Sequence, residues 1–173
     1  MKHNIYGGGK TTNLNGLSFE EKTCIKQMLK TNKQIEINEK NQIFFNGNII
    51  GFYTEKHKFY NDFLKPLGIN YKDILSKKLL PDGVFVNIRD KKIFIVEKKF
   101  QIREGSVDEK LQTGVFKKKM FSKLCDKTGY KVEYFYLLNN WFKKDVYRDV
   151  KEYLVENGCG VFIDKIPLHS FGL

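Results

Sequence analysis

Residues 81–101 read PDGVFVNIRDKKIFIVEKKFQ, and the fold turns on how they are laid out. Two apolar runs, 84–88 and 93–96, have the β-branched and aromatic content of buried strands, and the polar residues between them read as a turn. The unit nevertheless opens with an acid, Asp82, and runs out into Glu97, Lys98 and Lys99. Alternate residues of a strand share a face, so Glu97 and Lys99 lie with Ile93 and Ile95, and Asp82 lies with Val84, Val86 and Ile88. A two- or four-residue turn centred on Asp90 and Lys91 pairs Ile88 with Ile93 and Val86 with Ile95. That register sets Val84 opposite Glu97 and Asp82 opposite Lys99, with Glu97 diagonal to Asp82. A turn of odd length would put the charges on opposite faces. Stacking of the four β-branched residues favours the first arrangement.

Two carboxylates and an ammonium at the end of a buried face have a chemical use. Mg²⁺ is held by one or two carboxylates and keeps waters and phosphate oxygens for the rest of its shell. An ion so placed polarises a phosphodiester and lowers the pKa of a bound water. Lys99, partly desolvated beside it, can orient or deprotonate that water. The competing reading is a strand end whose charges form a surface salt bridge of little energetic weight.

The rest of the chain supplies the setting. Its 173 residues are long enough for one domain with a sizeable core, and 41 % are hydrophobic. Lys and Arg number 31 against 20 Asp and Glu, a formal charge of +11 that points to a polyanionic partner, nucleic acid before membrane. There is no run of ~18–20 apolar residues and no apolar leader, and the three cysteines, Cys24, Cys125 and Cys159, form no CxxC pair. A cytoplasmic protein with reduced thiols is expected. Residues 1–16 read as an N-terminal arm or loop, leaving 17–173 as the domain. A helix is expected from about Ser18 to Lys30, with Ser18 and Glu21 as a capping box and Leu17, Cys24, Ile25 and Met28 on one face. Asn46-Gly47 predicts a hairpin over 42–53. Short helices broken near Pro66 come next, then the two strands of the opening segment. A helix from Ser106 to about Cys125, capped by Ser106 and Glu109, is followed by a strand at VEYFYLL, a helix ended by Gly158 and a last strand at GVFI. Strands and helices thus alternate around a sheet, an α/β or α+β domain.

Pro81-Asp82, a gap, then Glu97-Lys98-Lys99 resembles the signature of the PD-(D/E)XK nuclease superfamily. The likeness extends through TTNLNGLSFEEKT, SKKLLPDGVF, EGSVDEKLQTGVFKKKMFSKL and VEYFYLLNNWF to most of the chain, which resembles a small type II restriction endonuclease. The resemblance implies a restriction-endonuclease-like core, a central mixed sheet flanked by helices. It implies that Asp82, Glu97 and the backbone carbonyl of Lys98 bind Mg²⁺ (or Mn²⁺ in its place) and that Lys99 acts on the water. It places an auxiliary acid at Glu20, next to the capping Glu21, and brings Gln101 to the site or the scissile phosphate.

The helix after the active strand carries Lys110, Lys117, Lys118, Lys119 and Lys123, either a solvated face or a phosphate track, with Arg103 just before it. Lys10, Asn13 and Asn15 of the arm either reach DNA or belong to a flexible tail. GGGKT lacks the spacing and preceding strand of a nucleotide-binding loop, and His3, His57 and His169 are isolated. The expectation is a Mg²⁺-dependent endonuclease acting on double-stranded DNA at a short sequence, dimeric on DNA, with a cognate DNA methyltransferase protecting the same sequence. The alternatives are a structure-selective nuclease such as a Holliday-junction resolvase, a repair or homing endonuclease, or a non-catalytic nucleic-acid-binding protein.

Overall fold

The computed structural model describes residues 18–19, 23–104 and 107–173. The chain is an α/β protein with one seven-stranded mixed sheet in sequential order: β1 (Ile35–Ile37), β2 (Gln42–Phe45), β3 (Asn48–Thr54), β4 (Gly83–Asn87), β5 (Lys92–Lys99), β6 (Lys131–Leu138) and β7 (Cys159–Ile163). The first five strands are antiparallel neighbours. β6 and β7 add parallel to β5, as helical crossovers allow. The helical segments are α1 (Ile25–Leu29), α2 over 56–67, α3 (Val107–Leu111), α4 (Gly114–Cys125) and α5 (Arg148–Glu156). None among the described residues is long and apolar enough to cross a membrane.

The period-two pattern divides the core in two. Val84, Val86, Ile93, Ile95, Tyr134 and Tyr136 face one side, where Phe59 and Phe63 of α2, Phe121 and Leu124 of α4 and Leu154 of α5 cover them. Phe85, Phe94, Val96, Phe135 and Leu137 face the other and pack on Ile25 and Leu29 of α1 and on Phe171 near the C-terminus. The Phe171 ring stands 5.4 Å from Phe94 and 5.8 Å from Phe135, closing that layer. Strands covered on both faces read as continuous apolar runs, which is why β4 is buried at every position.

Several expected elements form with altered bounds. The Asn46-Gly47 hairpin is present, both residues in the left-handed region at φ 50° and 76°, as a type I′ turn demands. The Ser18–Lys30 helix is interrupted, because Cys24 is extended and only Ile25–Leu29 continues as α1. Glu21 lies outside the described residues, so the capping box there is undescribed, as is Ser106 of the second one. The long helix expected up to Cys125 is two, α3 and α4, parted at Gln112 and Thr113. The break lets Gly114 start α4 against β6: a Cβ there would lie 2.5 Å from Tyr136 and 2.7 Å from Leu154. β1 was not anticipated, its three residues being too short for a periodic signal.

The β4–β5 register differs from the expectation by two residues. Val86 pairs with Ile93 and Val84 with Ile95, around a four-residue turn over 88–91. The cause is a polar lock: Asn87 Nδ2 donates to Asp90 Oδ2 at 2.8 Å and the Asp90 backbone N–H donates to Asn87 Oδ1 at 2.8 Å. Ile88 instead donates its backbone N–H to Ile50 of β3. Faces are preserved by an even shift, so the acids still share one side. Carried past the ladder, this pairing sets Asp82 directly across from Glu97, not diagonal to it.

Gly51 is the tightest point of the meander, since an added Cβ would sit 1.9 Å from the Val86 carbonyl oxygen. Gly51→Ala is expected to lower the unfolding free energy by about 3 kcal/mol, because no rotamer relieves a clash with backbone. Gly129→Ala, at φ +74° with open space around it, should cost about 1 kcal/mol from backbone strain alone. Denaturant titration checks both, and equal losses would contradict the packing described.

Candidate active site

The site forms where β4 and β5 reach the same end of the sheet. Ile93, Ile95, Glu97 and Lys99 alternate onto the face covered by α4, and the parallel partner β6 sets Tyr136 beside Glu97 and Leu138 beside Lys99. Asp82, just before β4, accepts the Lys98 backbone N–H at its Oδ2, 2.9 Å away. Glu97 is only 5 % exposed. Its Oε1 accepts from Lys99 Nζ at 2.7 Å and from Lys117 Nζ at 2.6 Å. Lys99 also donates to the Lys98 carbonyl oxygen, 3.0 Å away.

The electrostatics follow from that packing. Burial by itself would raise the Glu97 carboxyl, but Lys99 and then Lys117 outweigh it and hold the group below the usual carboxylate range. Both acids act on one neighbour. The Tyr134 phenol is pushed up, first by burial, then by the charge of Glu97, with Tyr136 and Asp82 adding to it. Tyr136 is pushed up to about 12 by burial and by Glu97. Two neutral tyrosines therefore wall a site in which Glu97 stays ionised.

The expected residues are gathered unequally. Lys99 links Glu97 and the Lys98 carbonyl, and Asp82 stands level with Glu97 at the strand end, bonded to the Lys98 backbone N–H. Gln101 lies beyond the end of β5, where Asn139 clamps its backbone by accepting from its N–H at 3.1 Å and donating to its carbonyl at 2.8 Å. Its side chain is buried, and neither amide atom has a partner among the described residues. Glu20, Asn13 and Asn15 lie outside the described residues. Lys117, Lys118 and Lys119 do not act as one track. Consecutive helical residues point ~100° apart, and here Lys117 enters the site, Lys118 bonds the carbonyls of Asn157 and Gly158, and Lys119 is exposed. Lys110 and Arg103 are exposed too.

Sequence reasoning missed the place of Lys117 and the clamp by Asn139. The signal for the first was Gly114, one turn before Lys117 and on the same helical face, a residue small enough to let α4 meet the sheet. On the other side of the strand ends, a groove of about 820 Å³ reaches Asp82 and Lys98 and is lined by Lys26, Lys30 and Lys56 among others.

The donor set suits a hard cation. Among the described residues no group of three or more His, Cys, Asp or Glu converges to hold a metal. Asp82, Glu97 and a carbonyl are nonetheless what a Mg²⁺ site with several waters requires. The Lys99 ammonium already draws together Glu97 Oε1 and the Lys98 carbonyl. No family model, curated protein or solved structure matches the chain.

The depressed Glu97 carboxyl gives a pH signature. Its stabilising contribution is fully present above the unfolded value of about 4.3 and is lost as pH falls through the lower folded value. Urea titration at a series of pH values should show wild type more stable than Glu97→Gln at neutral pH, with the gap closing as pH falls below the unfolded value of about 4.3. A gap that stays constant with pH would contradict the ion-pair account.

Proposed function

We propose that the chain is a Mg²⁺-dependent endonuclease of the PD-(D/E)XK type, hydrolysing phosphodiester bonds of double-stranded DNA at a short recognition sequence, on a restriction-endonuclease-like core. The observation that carries this reading is the convergence of Asp82, Glu97, the Lys98 carbonyl and Lys99 at one sheet end. The charge of +11 and the lysines of the adjoining groove support a polyanionic substrate.

Asp82, Glu97 and the Lys98 carbonyl would hold the cation, Mg²⁺ or Mn²⁺. When bound, it supplies positive charge to the scissile phosphate and acidifies a coordinated water. Glu97 can hold a cation at neutral pH because its neighbours keep it ionised despite burial. Lys99, two residues on and on the same face, orients the attacking water. Tyr134 and Tyr136 stay protonated and take no proton, and their rings keep bulk solvent from this end of the sheet. One such site cuts one strand, so cutting both is assigned to two copies about a two-fold axis. A cognate methyltransferase would protect the host's own copies of the sequence.

The test is incubation of purified protein with unmethylated plasmid and Mg²⁺. Discrete fragments are expected, and Asp82→Asn, Glu97→Gln and Lys99→Ala should each slow cutting by at least about a hundredfold. Asp145→Asn, at an exposed acid paired with Arg148 in the turn before α5, should leave the rate unchanged. Preference for branched DNA would favour a resolvase-like enzyme. Binding of DNA with no metal-dependent cutting would overturn the reading in favour of a non-catalytic nucleic-acid-binding protein.

A further inference from the structure

Glu97 Oε1 carries more positive charge than it needs. Two ammonium groups, Lys99 and Lys117, donate to the same oxygen at 2.7 and 2.6 Å and therefore repel each other. They are not equivalent. Lys99 has a second acceptor, the Lys98 carbonyl, and is the less exposed side chain at 15 %. Lys117 has Glu97 as its sole acceptor among the described residues, and its side chain is 26 % exposed. It arrives from α4, a different element, on a long flexible stem anchored one turn after Gly114.

We propose that Lys117 is an exchangeable second cation of this site: it holds Glu97 when no divalent cation is bound, yields that oxygen when one binds, and then contacts the scissile phosphate. The proposal rests on geometry for its first step, on the cation site proposed above for its second and on the nuclease reading for its last. Charge balance gives the reason. Among the described residues two ammonium groups pair with the Glu97 carboxylate, so Glu97 can be buried and ionised without metal. A divalent cation then turns the pocket strongly positive, which matches the extra negative charge that phosphoryl transfer develops. Of the two ammoniums, the one without another acceptor and nearer to solvent is the one that moves. Loss of Glu97 leaves its charge uncompensated until it meets a phosphate oxygen.

The experiment uses the full chain and two variants, Lys117→Met, which keeps the length and loses the charge, and Lys117→Arg, which keeps the charge. Calorimetric titration with Mn²⁺ in the absence of DNA should show Lys117→Met binding about tenfold more tightly than wild type, because a competing cation has gone. Lys117→Arg should stay near wild type. At saturating metal, Lys117→Met should lose about a hundredfold in kcat, with KM for DNA changed by less than about threefold. Unchanged or weaker Mn²⁺ binding by Lys117→Met, in a protein whose melting transition is intact, would overturn the exchange. Unaltered kcat would overturn the phosphate contact. A wild-type protein that cuts no DNA would sink the nuclease reading instead, while tighter Mn²⁺ binding by Lys117→Met would still support the exchange.

Discussion

A carboxylate that is 5 % exposed cannot remain charged without partners, and the architecture around Glu97 is organised by that requirement. Desolvation opposes the ionised form, and two ammonium groups, one from its own strand and one from α4, reverse the balance. Removing either partner leaves a buried charge underpaired, a much larger penalty than losing a surface salt bridge. The acid therefore dictates what may stand near it. Tyr134 and Tyr136 are held protonated by burial together with its field. Hydrogen-bond donors converge on a single oxygen that hydrophobic packing alone would have left out of the sheet.

The fold delivers those partners through backbone constraints far from the charge. The Asn87–Asp90 lock sets the β4–β5 register, and that register brings Asp82 level with Glu97 instead of with Lys99. Parallel addition of β6 puts Tyr136 beside Glu97 and carries Asn139 to the point where β5 ends. The parting of α3 from α4 lets Gly114 touch the Tyr136 ring, and Lys117 follows one turn later. Sheet register, strand direction and a helix break thus each contribute one side of the same pocket.

Much of this was legible in the chain, for definite reasons. Period-two alternation gives β4 and β5 the same faces for any even-length turn between them, so Asp82, Glu97 and Lys99 could be assigned to one side from residues 81–101 once stacking of the β-branched residues favoured an even turn. The Asn46-Gly47 turn and the helix stop at Gly158 were readable because those positions need φ above zero. What escaped depends on contacts distant in sequence. The choice between pairings two residues apart rests on two side chains in the turn, and both pairings bury β-branched residues equally well. Lysines 117 to 119 look alike in a row, yet only packing of α4 on β6 decides which one turns inward. Asn139 is one more polar residue after a strand until its neighbour β5 is known.

The central claim is that Asp82, Glu97 and the Lys98 carbonyl form one hard-cation site beside Lys99. Anomalous diffraction from crystals grown with Mn²⁺ tests it most directly, because the metal is located independently of activity. The account predicts a single strong peak between the Asp82 and Glu97 carboxylates, within coordination distance of the Lys98 carbonyl, with Lys117 drawn off Glu97. A fully loaded crystal with Mn²⁺ bound elsewhere, and with Lys99 and Lys117 still both on Glu97, would contradict it.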